Sequence, residues 1–437
     1  AFRALKRSSP LPTCMSIVSF LTFVVLLAPF RSAQACSTYK VTANGTTMVG
    51  SNYDSWLEVP GIWFETNGYG AAFSGARPDG KNGYAPQTGL NEYGLAFVTL
   101  ATATPANGHP FAGRLPIPDR TQYLKDILHT CRTVDEVKAY IDRYDHSVLG
   151  QDVFLYVDST GHYLVAEPYA VTLGDDASYV LANFCPSTIS DLSTIQQRRY
   201  VDGTAFLKNK LGTSLAFCTA LSDTMHVCRE KLGDGTLLTS ILDLNDRVIH
   251  LYFYHDYAHR VDFNLKEELA KGDHFIVLPG LFPRNTEYSK LLGFRTPMNS
   301  ATLHLFVLFG LGLFSLSAVV FLFHLFRRWR SRPAAIDLLL MALSLLLAFY
   351  MVILATKENL YYFPAPYSDG STSLINLASY IPFVLLVLIV PLILLNRKAF
   401  KGSAWRAVPK WTLALNTVCY VILISLFGYW GLYHVSI

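Results

Sequence analysis

The spacing of apolar positions divides the chain into three parts. Residues 16–30 form a short, mainly apolar run, residues 36 to about 290 mix period-two and helix-period segments, and four long apolar runs lie within residues 302–437. In the middle part, alternation over 38–41, 47–53, 61–66 and 95–103 predicts strands. Between 121 and 144 the period changes. Tyr123, Leu124, Ile127 and Leu128, then Val134, Val137 and Ile141, are spaced for two helices that each bury one face. Segments 152–157 and 162–166 predict a hairpin about the turn residues Asp158-Ser159-Thr160-Gly161. Asn44-Gly45 likewise joins 37–43 to 46–53, a reading preferred to the glycosylation acceptor pattern Asn44-Gly45-Thr46. Helices are expected over 194–211 and 214–232, and a last strand pair, 236–244 and 247–254, about Asn245-Asp246. Helices segregated from mainly antiparallel strands imply an α+β domain of stacked layers, not a doubly wound sheet.

The four apolar runs, at about 302–326, 334–356, 374–395 and 411–434, each reach the ~20 residues needed to cross a bilayer. Arg327, Arg328, Arg330 and Arg332 lie between the first two, and Arg397, Lys398, Lys401, Arg406 and Lys410 between the last two. The loop from 357 to 373 is nearly neutral. Positive loops stay in the cytoplasm, so residues 36–300 are expected on the extracytoplasmic side. Few ionisable groups occur within the runs, which argues against a transporter.

Arg3, Lys6 and Arg7, the apolar run after them, and small residues at Ala33 and Ala35 match a secretory signal over 1–35, to be removed by signal peptidase. Cleavage after Ala35 would make Cys36 the first residue, with a thiol and a free α-amine together. An α-amine with a pKa near ~8 is largely able to take the thiol's proton, so Cys36 is equipped as an N-terminal nucleophile without a separate histidine. The expected domains are therefore the signal 1–35, a catalytic domain 36–290, a linker 291–301 and the membrane region 302–437.

Composition sharpens this picture in three respects. A hydrophobic share of 51% is high for a soluble protein, and a net charge of only +4 gives no case for nucleic acid. Of seven cysteines, Cys131, Cys185, Cys218 and Cys228 lie in the predicted exported domain outside the junction, where two disulfides or four thiols are equally admissible. His250, His255 and His259 with Asp256 lack helical ligand spacing, so no metal and no cofactor is expected.

Five motifs, counting Cys36 as the first, carry a resemblance. Cys36 is followed by Gly50-Ser51-Asn52-Tyr53-Asp54, Gly89-Leu90-Asn91-Glu92-Tyr93-Gly94-Leu95, Leu181-Ala182-Asn183 and Arg199-Tyr200. In that order they resemble the choloylglycine hydrolase family of linear amide hydrolases, which includes bile salt hydrolases, penicillin V acylases and relatives of acid ceramidase and N-acylethanolamine amidase. The resemblance spans 36 to about 265. It implies a four-layer αββα N-terminal-nucleophile hydrolase fold. Cys36 would be nucleophile and, through its amine, base; Asp54 would hold the amine or thiol; Asn183 would donate to the oxyanion. Arg199 would orient Asp54 and favour the thiolate, with the neighbouring Arg198 competing for that register. Asn91 resembles a structural turn residue. Ser51 and Ala101 depart from the bile salt hydrolase pattern, which weakens that substrate but not amide cleavage. The implied activity is hydrolysis of an N-acyl amide, lipid-like amides included, by a membrane-anchored enzyme. An acyltransferase of the same fold and a non-catalytic binding or sensing membrane protein are the alternatives.

Overall fold

A computed structural model describes residues 36–55, 58–79, 83–106, 111, 113–208, 210–228, 235–328, 334–361, 377–402 and 405–435. The predicted signal, the arginines at 330 and 332 and the start of the third predicted span lie outside these residues. The described chain forms two compact units that divide between Gly293 and Phe294.

In chain order the strands of the first unit are β1 (Ser37–Ala43), β2 (Thr46–Asp54), β3 (Gly61–Glu65), β4 (Ala71–Gly75), β5 (Thr88–Asn91), β6 (Ala96–Ala101), β7 (Asp152–Val157), β8 (Tyr163–Ala166), β9 (Val171–Gly174), β10 (Ser178–Leu181), β11 (Thr236–Asp243), β12 (Val248–Phe253), β13 (Arg260–Asn264) and β14 (His274–Val277). Its helices are α1 (Arg120–Thr130), α2 (Val134–Ile141), α3 (Arg198–Leu207), α4 (Leu215–Met225), α5 (Leu265–Leu269) and α6 (Thr286–Gly293). The strands make two antiparallel sheets, ordered β10-β1-β2-β11-β12-β13 and β14-β3-β4-β5-β6-β7-β8-β9.

Alternation decides which side of each strand meets which layer. Tyr39, Val41, Met48, Ile241 and Tyr252 from the first sheet pack on Cys218, Leu221 and Met225 of α4. Trp63, Phe73, Phe97, Phe154 and Tyr156 from the second pack on Tyr123, Leu124, Ile127, Val134 and Val137 of α1 and α2. The opposite faces are buried as well: Val49, Leu90, Val98 and Leu155 are at most 1% exposed. A helix layer, two sheets and a helix layer result, the α+β four-layer arrangement expected. The β1–β2 hairpin turns at Asn44 and Gly45, both with positive φ (52° and 78°), the conformation that matches strand twist. Ser214, Thr133 and Asp119 cap the N-termini of α4, α2 and α1 through their side chains.

Several expectations shift. The helix expected over 194–211 begins only at Arg198, after a 3₁₀ turn over 192–194 whose Ser193 amide donates to the Asp191 carboxylate. The one expected over 214–232 ends at Met225. No disulfide joins Cys131, Cys185, Cys218 or Cys228; the first three are buried thiols.

The second unit contains α7 (Ala301–Arg328), α8 (Ala334–Thr356), α9 (Ile381–Lys401) and α10 (Ala407–Tyr429), all long and apolar enough to cross a membrane. Inside it, Ser317 Oγ donates to Asn416 Oδ1 at 3.0 Å, and His324 Nδ1 meets Asp337 Oδ1 at 2.9 Å, both side chains buried. This pair is an ionisable contact that hydropathy alone hides, because the two residues are averaged into long apolar helices.

Candidate active site

Strand register brings the sequence-predicted residues to one end of the first sheet. Ser37 pairs with Asn52 and Thr38 with Leu181, so Cys36 just before β1, Asp54 at the end of β2 and Asn183 just after β10 lie at the same sheet end. Thr236 opens β11 opposite Asp54. Arg199 arrives from the first turn of α3, which packs over β1 and β10.

Cys36 is 2% exposed. Its Sγ lies 4.0 Å from the Asp54 carbonyl, within reach for a thiol donor. Arg199 Nε donates to the Cys36 carbonyl at 3.1 Å, while Nη2 donates to Asn183 Oδ1 at 2.6 Å and to Gln197 Oε1 at 3.0 Å. Asn183 Nδ2 donates to the Ala101 carbonyl at 2.6 Å, leaving its second N–H for another acceptor. Thr236 Oγ1 donates to Asp54 Oδ1 at 2.6 Å and itself accepts from the Val227 amide at 3.0 Å.

The hydrogen bonds of Arg199 run to Cys36, Asn183 and Gln197, and Thr236 donates to the Asp54 carboxylate. Arg199 does not win the thiol. Burial and then the Asp54 charge push the Cys36 thiol up to about 12, against weaker downward pulls from Arg199 and Arg77. The folded chain therefore favours the protonated thiol. Arg198, the competing register, has a side chain 94% exposed beside Asp202.

Sequence reasoning missed Thr236, Gln197 and the Ala101 carbonyl. Thr236 stands at the first position of a predicted strand, but only the pairing of β11 with β2 shows what it faces. Asn91 holds a turn, donating to the Leu128 and Cys131 carbonyls and accepting from Tyr93 and Leu95. The three histidines go to separate carboxylates: His250 to Asp262, His259 to Asp256 and His255 to Glu287. A cleft of ≈ 540 Å³ opens elsewhere, over the second sheet, between Trp63, Tyr84, Phe275, Glu65 and Lys125.

No protein-family pattern and no curated protein matches the chain. Among solved structures it is similar to an arginine-to-leucine variant of conjugated bile acid hydrolase from Clostridium perfringens, at 14% identity and a TM-score of 0.44 over 58% of this chain and 98% of that one. The cysteine-to-alanine mutant of the same hydrolase gives 14% and 0.44, over 58% and 97%. Penicillin V acylase from Agrobacterium tumefaciens gives 14% and 0.39, over 50% of this chain and 82% of that one.

Proposed function

We propose that the chain is a cysteine amidohydrolase that cleaves a linear N-acyl amide, lipid-like amides included, with its catalytic domain on the extracytoplasmic side and its four apolar helices in the membrane. The observation that carries the reading is Cys36 itself, buried at a strand end with its carbonyl held by the guanidinium that also grips Asn183. The ordered motifs from Cys36 to Arg199 support it from the sequence side.

In the proposed reaction, signal peptidase frees the Cys36 α-amine. The amine takes the thiol proton as Sγ bonds to the amide carbonyl carbon, which suits a thiol that burial keeps protonated. The carbonyl oxygen becomes an oxyanion that accepts from the second N–H of Asn183, held in orientation by Arg199. The C–N bond breaks as the ammonium gives its proton to the leaving nitrogen, and a thioester remains. Water then attacks the thioester, with the amine again as base, releasing the acid and restoring the thiol. Asp54, fixed by Thr236, positions the amine. Losing one oxyanion donor typically costs about 10²–10³ in rate.

The test begins with the mature N-terminus. Sequencing should return Cys36 first with an unblocked amine; a retained upstream segment or an acylated amine removes the base and refutes the proposal. A panel of N-acyl amides differing in chain length and amine should then yield at least one that wild type hydrolyses and Cys36→Ala does not. Transfer of the acyl group to an added amine in preference to water would reassign the enzyme as an acyltransferase.

A further inference from the structure

We propose that Cys228, His255 and Glu287 form a binding site for one zinc-class divalent cation, at the corner where α6 meets the ends of β11 and β12. The Cys228 thiol, a His255 ring nitrogen and a Glu287 carboxylate oxygen lie within 4.8 Å of one another. His255 Nε2 and Glu287 Oε2 are already 3.0 Å apart. Around a tetrahedral zinc ion, ligand atoms sit about 3.3–3.8 Å apart, so small side-chain rotations bring all three to bonding distance. Thiolate, imidazole and carboxylate together are the donor set of borderline-soft ions. Two anionic ligands balance a dipositive charge, and a water completes four-coordination.

The backbone supports the same corner from three separate segments. Tyr254 and His255 carry consecutive positive φ values, 52° and 47°, which residues with side chains avoid and which carry His255 off the end of β12 towards Glu287. His226 stacks on the His255 ring at 5.7 Å and 12°. Asn285 donates to the Tyr254 carbonyl and accepts from the Glu287 amide, tying the start of α6 to the strained pair. Such strain persists where the surrounding structure over-determines it, as at ligand sites.

On binding, the ion replaces the Cys228 thiol proton, which is released to solvent, while the His255 imidazole offers an unprotonated ring nitrogen and keeps one N–H on the other. It would also anchor the residue next to Val227. Thr236 N donates to the Val227 carbonyl at 2.8 Å, and Thr236 in turn holds Asp54. The ion thus acts as a positioning clamp on the support of the Cys36 site, while its binding does not depend on amide cleavage there.

Cobalt(II) chloride titrated into the reduced, chelator-stripped full-length protein in detergent tests the site through its thiolate-to-cobalt charge-transfer absorption, with zinc chloride as competitor. The expected result is a band that saturates at one equivalent in wild type and in Cys36→Ala, is displaced by zinc, and is lost in Cys228→Ser. No band in folded wild type, a band retained by Cys228→Ser, or a band lost in Cys36→Ala would each overturn the assignment. If Cys228→Ser does not fold, the near-isosteric, exposed Glu287→Gln carries the decision: at least tenfold weaker cobalt binding supports the site, and unchanged binding refutes it.

Discussion

Replacing Thr236 by valine removes one oxygen while keeping the β-branched shape that a strand favours. Thr236 is fully buried and its hydroxyl does two jobs, donating to Asp54 Oδ1 and accepting from the Val227 amide. A hydrogen bond to a carboxylate contributes about 1.5–3 kcal/mol, and a half-buried amide left without its acceptor costs about 1 kcal/mol more. The expected destabilisation is about 3 kcal/mol. Thr236→Ser is the control, because it keeps the oxygen and forfeits only a methyl group worth about 1 kcal/mol. Urea unfolding followed by tryptophan fluorescence should therefore place the valine variant about 2 kcal/mol below the serine variant. Turnover should follow the same order, since Asp54 loses the Thr236 hydroxyl donor. A valine variant as stable as the serine variant would refute the placement of Thr236 against Asp54.

Arg199→Lys should lower kcat/KM by about 10²-fold, because one ammonium cannot reach Cys36, Asn183 and Gln197 at once. Arg198→Lys, on the exposed neighbour, should leave it unchanged, and equal losses in the two would contradict the geometry. Burial lowers the His146 pKa from 6.5 to about 4. The unfolded chain then binds the extra proton first, so this contribution is full above pH ~6.5 and declines as pH falls towards 4, by about 3 kcal/mol. Urea midpoints measured from pH 7.5 to 4.5 should show that decline, and His146→Gln should flatten it. Gly94→Ala should cost at least about 2 kcal/mol, since φ is +80° and an added Cβ would lie 2.2 Å from the Leu244 carbonyl oxygen. A melting temperature within a degree of wild type would count against that fit.

What the sequence could and could not disclose follows the range of each interaction. Local signals sufficed for the Asn44-Gly45 hairpin and for the two helices bearing Tyr123 to Ile141, because a turn or a helical face is written within a few residues. The four-residue strands Thr88–Asn91, Ser178–Leu181 and His274–Val277 carry too little alternation to register. The site divides in the same way. Cys36, Asp54, Asn183 and Arg199 could be singled out by their motifs, whereas Thr236 acquires its role from a partner 182 residues away. Spacing alone also cannot choose between Arg198 and Arg199. The late start of α3 after its 3₁₀ turn decides which of them points inward. The thiol's environment was equally illegible: a nearby arginine suggests a thiolate, but burial and the Asp54 charge outweigh it.

The position of β1 between β10 and β2 bears on when the Cys36 thiol becomes buried. During synthesis the β1–β2 hairpin can close at once, but its flanking strands β10 and β11 lie more than a hundred residues downstream, and pairing at that separation is slow to nucleate. Until both arrive, the Cys36 thiol sits on an open hairpin edge, exposed to oxidants and to other thiols. Burial of the Cys36 thiol thus waits on strands made long after the hairpin. The order of assembly leaves a thiol that is buried in the folded domain exposed beforehand.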